Sequence, residues 1–126
     1  MNQKIYLIKI SVETQYLPDQ SSPSTERYVF AYTITLQNQG NIGARLQSRH
    51  WKIISEDGDV DEVKGEGVVG EFPHLMPGEQ YRYTSGTVFN TTSGTMKGTY
   101  QMVADDGVMF DAAIPDFFMT IPRTLH

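Results

Sequence analysis

Apolar residues recur at every second position along most of this chain. Tyr6, Ile8, Ile10 and Val12 alternate with Leu7, Lys9, Ser11 and Glu13, the period of a half-buried strand. Leu17 to Glu26, with Pro18 and Pro23, is polar and reads as a loop with nothing to bury. From Arg27 the alternation resumes. Tyr28, Phe30, Tyr32, Ile34 and Leu36 face one way, and Val29, Ala31, Thr33 and Thr35 the other. Both sets suit a pleated surface, so a central strand is expected. Asn38 to Gly43 is turn chemistry.

Ala44 to Ile54 reads as the next strand. Leu46 and Trp51 differ in parity, so burying both requires a bulge between them. Asp57-Gly58 marks a hairpin, since glycine accepts the positive φ of a primed turn, and Val60 to Lys64 is the return strand. Gly65 to Gly70 holds three glycines and is read as irregular, with too few side chains to pack. Pro77-Gly78 turns again. Tyr81 to Val88, Met96 to Val103 and Val108 to Ile114 complete the strands, and Asp106-Gly107 joins the last pair. Pro115 is expected to break the ladder, with Phe117 to Ile121 resuming it at an edge. No segment has helical periodicity. About seven or more short strands at this spacing predict an antiparallel sandwich or barrel. Trp51, on the third long strand, is similar to the core tryptophan of immunoglobulin-like sandwiches, here without a disulfide. Tyr32, Ile34, Tyr100 and Phe110 share its inward phase and are its expected neighbours.

A chain of 126 residues fits one domain, residues 1–126, large enough to bury a core. It has no cysteine, which removes disulfide and thiolate chemistry and suits a reducing cytoplasm. The net charge of −5 repels a phosphate backbone, so nucleic acid is not an expected partner. The longest apolar run near the start, Ile5 to Ile8, is too short for a signal peptide or a membrane span, and no membrane insertion is expected.

Candidate chemistry gathers between Ser48 and Gly78. Gly65, Gly67 and Gly70 form a Gly-x-Gly-x-x-Gly string. In dinucleotide folds that string opens a helix whose N-terminus holds a pyrophosphate. Here Glu71-Phe72-Pro73 follows, no helical pattern comes after, and Asp57, Asp59, Asp61, Glu62, Glu66 and Glu71 crowd the region. The string is therefore read as backbone geometry, with at least one glycine at positive φ. A free-standing nest of amides for a small anion is the alternative. Asp57, Asp59 and Asp61 begin like a calcium loop, but Glu62 stands where that loop needs glycine and Val68 where it needs glutamate. A solvated acidic hairpin is the preferred reading, with a loose divalent-cation site as its rival. His50 and His74 lack the companions of a metal or catalytic site. Arg49 and His50 are strand neighbours and point to opposite faces, so one is expected to approach the core or the sheet interface and need a partner there; exposure of both at a sheet edge is the alternative. Gly65, Gly67, Gly70, Arg49 and His50 are the candidate ligand-binding residues. Ser85 and Ser93 have no nucleophile context, and no catalytic residue or cofactor is expected.

Several strings together resemble the bacterial ApaG family: RYVFAYTITLQNQG, SRHWKI, EVKGEGVVGEFPHLMPGE, YTSG, SGTMKGTYQMV and FDAAIPDFF. They run from Arg27 to Phe118. The resemblance implies a fibronectin type III-like β-sandwich of two sheets. It also implies a gene neighbourhood with a diadenosine tetraphosphate hydrolase and a ribosomal RNA dimethyltransferase, and a link with cobalt resistance and magnesium efflux. Related domains in an F-box protein and in a DNA-polymerase-delta-interacting protein look like protein-interaction modules. The family's glycine string maps onto Gly65, Gly67 and Gly70, where pyrophosphate binding is one proposal. The expectation is thus a non-catalytic module for a protein partner or a small anionic ligand. A homo-oligomer is compatible with it.

Overall fold

A computed structural model describes residues 3–122; both ends of the expected domain, 1–2 and 123–126, lie outside the described residues. Eight strands follow in order: β1 (Ile8–Tyr16), β2 (Tyr28–Asn38), β3 (Ala44–Ser55), β4 (Val60–Glu66), β5 (His74–Leu75), β6 (Gln80–Phe89), β7 (Ser93–Ala104) and β8 (Met109–Thr120). They form two antiparallel sheets, one ordered β1-β2-β6 and the other β4-β3-β7-β8, with β5 pairing further along β3. This is the expected β-sandwich of two sheets. Its core is the inward phase of both sheets, including Phe30, Tyr32, Ile34, Leu36, Leu46, Trp51, Tyr100 and Met102, all buried. β2 is the central strand of its sheet, as its double-sided composition requires.

Two irregularities set the register. Between β3 and β7, Leu46 faces Met102 but Ser48 faces Gln101, so Gln47 is an extra residue. That bulge lets Leu46 and Trp51 both point inward. Between β7 and β8, Gly98 faces Ile114 and Met96 faces Phe117, so Pro115 and Asp116 together oppose Lys97. Pro115 therefore does not break the strand. β8 is an edge strand, and a bulge there needs no ladder hydrogen bond from proline. This shift also corrects the surroundings of Trp51. Its aromatic neighbours are Tyr32, Tyr100 and Phe117, at 5.8, 6.2 and 5.9 Å between ring centroids. Phe110 instead stacks on Tyr6 at 5.6 Å, where β1 closes against β8. There Tyr6 also donates its hydroxyl to Asp106 at 2.6 Å, which holds the Asp106 carboxyl below its ordinary range.

The segment after Leu17 is more ordered than a polar loop need be. Two single 3₁₀ turns, Pro18–Gln20 and Pro23–Thr25, fold it back. Ser21 ties it to β2, accepting from the Val29 amide at 2.9 Å and donating to the Leu17 carbonyl at 2.8 Å. The turn after β2 is organised from inside by Asn38, one of the few buried polar residues. Its side chain donates to the carbonyls of Ile42 and Leu75 and accepts from the Gly40 amide. A buried amide is tolerated because every one of these groups is paired.

Candidate functional site

β4 continues two residues beyond its expected end, so Gly65 and Glu66 are strand residues and the irregular stretch starts at Gly67. Gly65 lies opposite Arg49, and its missing side chain is what lets the Arg49 guanidinium lie against its Cα. A methyl group there would stand 2.7–2.8 Å from that guanidinium. From this position Arg49 Nη1 donates to the carbonyls of Glu66 at 3.0 Å and Gly67 at 2.7 Å. Of the Arg49-His50 pair, Arg49 is thus the inward residue, and its partners are backbone carbonyls. Charge-assisted bonds of this kind are strong enough to fix a loop.

The loop then crosses the open side of the sandwich. Gly67, at φ 62°, donates to the bulged Gln47 at 2.9 Å, and a Cβ on it would meet the Glu71 carbonyl oxygen at 2.5 Å. Val68 drops into the core. Val68 and Glu71 exchange both backbone hydrogen bonds, at 2.9 and 2.8 Å, around Val69 and Gly70. Both central residues have positive φ, 44° and 80°, the pattern of a type I′ turn. Arg45 closes the far end by donating to the Phe72 carbonyl at 2.7 Å, and the Leu46 amide bonds to Pro73. β5 follows, a two-residue strand too short to register as periodicity. Two of the three glycines of the string therefore supply positive φ, and the third admits an arginine. The amides of Gly67, Val68 and Glu71 are engaged with carbonyls of the same chain.

His50 points the other way, onto the outer face of the larger sheet, where it pairs with Glu62. That bond holds the Glu62 carboxyl below its ordinary range. His50, Ser48, Lys64, Glu66 and Gln101 surround a hollow of about 490 Å³ that also reaches Arg49 and Gly65. The structure thus brings Arg49, His50 and Gly65 together, while Gly70 lies apart at the loop tip. Asp57 accepts from the Asp59 amide at 3.3 Å inside the turn. Asp61, opposite Ile53, alternates in side-chain direction with Glu62, opposite Lys52. Among the described residues no three His, Asp or Glu side chains gather as a cation site. His74 pairs with Asp105 at 2.8 Å and staples β5 to the β7–β8 turn.

Two features escaped the sequence. One is a pair of tyrosines, Tyr83 and Tyr100, joined hydroxyl to hydroxyl in the core beside Arg49. Burial pushes the Tyr83 phenol up to about 12, opposed by its bond to Tyr100, and raises Tyr100 further. The other is an exposed apolar tip, Val69 and Phe72, 57% and 41% accessible. Val69 is a β-branched residue in a conformation that such residues rarely adopt. Its signal was the Val-Gly dipeptide between Val68 and Glu71, in a position where asparagine-glycine is the usual turn.

A family model described as the ApaG domain matches residues 18–104. A curated relative, Protein ApaG of Nitrosomonas europaea, is 57% identical over 125 residues, 99% of this chain and 98% of its own length. Protein ApaG of Thiobacillus denitrificans is 58% identical over 123 residues. A crystal structure of the ApaA protein from Bordetella pertussis superposes with a TM-score of 0.93 at 46% identity, covering 96% of this chain and 98% of the other. The chain belongs to the ApaG family.

Proposed function

We propose that this ApaG-family sandwich is a non-catalytic binding module of one domain, and that its partner is another protein. The observation that carries this reading is the loop tip. Val69 and Phe72 are exposed, and Val69 holds a strained backbone conformation although asparagine or glycine would relax it. Strain kept at an exposed apolar position is characteristic of contact surfaces. The two arginines that clamp the loop hold it ready for a partner, which lowers the ordering cost of binding. No nucleophile and base stand together at the loop, so the reading needs no reaction. On this reading the family's link with cobalt and magnesium belongs to the partner and not to an ion site on this domain.

A second reading is a small anionic ligand, favoured by Lys64 and His50 converging on the 490 Å³ hollow and opposed by Glu66 and Glu62 beside them. Affinity capture from lysate with the folded domain tests both. A specific protein retained by the native chain and lost with Val69→Asn plus Phe72→Ser supports the first reading. Retention unchanged in that variant would move the contact surface elsewhere, and capture of nothing would favour the small ligand.

A further inference from the structure

β4 ends its sheet, and among the described residues no strand pairs with its far side. The direction of its backbone groups follows from its two ends. Asp59 accepts from the Ser55 amide, and the Gly67 amide donates to Gln47. Groups alternate along an antiparallel pair, so Asp61, Val63 and Gly65 also turn toward β3. The amides and carbonyls of Val60, Glu62 and Lys64 are left facing outward, a free ladder of three residues. An unpaired ladder is a template for another strand, and proteins guard such edges with charge. Here the guard is mostly acidic. Within residues 56–66, Glu56, Asp57, Asp59, Asp61, Glu62 and Glu66 outnumber Lys64, a balance of −5, while Lys52 opposite Glu62 and Arg49 at the Glu66 carbonyl stand beside them on β3. Beside the start of β4 lies a groove of about 580 Å³ between the hairpin and the end of β6, walled by Ile53, Val60 and Val88, with three carboxylates, Asp59, Asp61 and Glu26, and one cation, Arg27, around it.

We infer that β4 accepts an extended, lysine- or arginine-rich segment of a partner protein as an added antiparallel or parallel strand. Main-chain bonds to Val60, Glu62 and Lys64 would supply the pairing, and alternate side chains the selection. Alternation sends one phase of the incoming strand toward the groove and its carboxylates, where basic residues are favoured. A second copy of this chain is disfavoured, because it would lay one acidic edge on another. The inference rests on the binding-module reading and names the chemistry of its partner.

The probe is a synthetic peptide of about ten residues alternating lysine and valine, long enough to span the strand. Titrated into the isotope-labelled chain, it should bind saturably, protect the amides of Val60, Glu62 and Lys64 from exchange, and bind more weakly as salt is raised. Lys64→Pro removes one outward amide and no bond to β3, and it leaves every carboxylate in place. It should weaken binding by about tenfold or more, as should Asp59→Asn with Asp61→Asn. If Lys64→Pro does not fold, the exchange pattern of the native chain still decides. Equal affinity for Lys64→Pro, protection at residues away from β4, a dimer that forms through β4, or no saturation near about 1 mM would each overturn the inference. A partner captured through Val69 and Phe72 alongside a silent β4 would sink this inference and leave the binding-module reading standing.

Discussion

Val69 is where local preference and observed conformation disagree most. A valine at φ 44° in the first position of a primed two-residue turn crowds its own branched side chain, whereas asparagine is at home there. Val69→Asn is therefore expected to raise stability by about 1 kcal/mol, at the low end of what such strain holds. A lower denaturation midpoint for this variant would show that Val69 makes packing contacts outweighing the strain. The glycines of the same loop separate in the same way. At Gly70 an added Cβ meets nothing within 4 Å, so Gly70→Ala carries only the penalty of positive φ, about 1 kcal/mol. At Gly67 the Cβ would strike the Glu71 carbonyl and part the loop from Gln47. Gly67→Ala should thus cost clearly more than Gly70→Ala in a denaturant titration; equal costs would mean that the loop is held elsewhere. Sequence alone foresaw that Arg49 and His50 diverge and that one needs an inner partner. It could not foresee that the partners would be the carbonyls of Glu66 and Gly67, because nothing in the identity of a residue advertises its backbone oxygen.

Strands were legible wherever one face is buried and the other wet, because alternation then records the pleat directly. That holds for β1, β2, β6 and β7, and parity alone disclosed the bulge at Gln47. Legibility failed where the backbone departs from the side-chain code. β4 is exposed along nearly all of its length, so its apolar pattern is faint and its glycine looked like a terminator. β5 has too few residues to show a period, and Pro115 passes through β8 because an edge bulge absorbs it. The tyrosine pair was hidden for a different reason: Tyr83 on β6 and Tyr100 on β7 belong to different sheets, and only the packing of one on the other brings the hydroxyls together. The burial of the two phenols predicts an alkaline limit to stability. A phenol whose pKa rises on folding is favoured in its neutral form. Its stabilisation is complete below the unfolded value near 10 and is lost as the pH climbs toward 12, the folded value of Tyr83. The unfolding midpoint should fall steadily over that interval, and the double variant Tyr83→Phe, Tyr100→Phe should flatten the slope. A native midpoint independent of pH in that range would contradict the burial of the pair.

At the scale of the whole molecule the sandwich is lopsided. One side is closed where β1 meets β8 through Tyr6 and Phe110; the other, between β4 and β6, is filled at one end by Val68 and Arg49 and open at the other. The single tryptophan sits between the sheets and ties them together through rings from β2, β7 and β8. Trp51→Ala should therefore destabilise the fold by about 3–5 kcal/mol, the range of large aromatic truncations in a core. The same lopsidedness decides what a phosphate-bearing ligand would meet. Any anion reaching the glycine string approaches the side of the molecule that carries Glu62, Glu66 and Glu71, and it finds the amides of Gly67, Val68 and Glu71 already bonded to carbonyls. Arg49, beside the string, points its Nη1 into the loop backbone and would have to release Glu66 and Gly67 first. A ligand that binds only the native state must raise the melting temperature in proportion to the logarithm of its concentration. Pyrophosphate and diadenosine tetraphosphate are therefore expected to leave the melting temperature unchanged at concentrations up to about 1 mM, where even a weak specific site would respond. A rise that vanishes in Gly70→Ala while that variant stays folded would reverse this expectation, and it would make anion recognition by the loop the leading account of the domain.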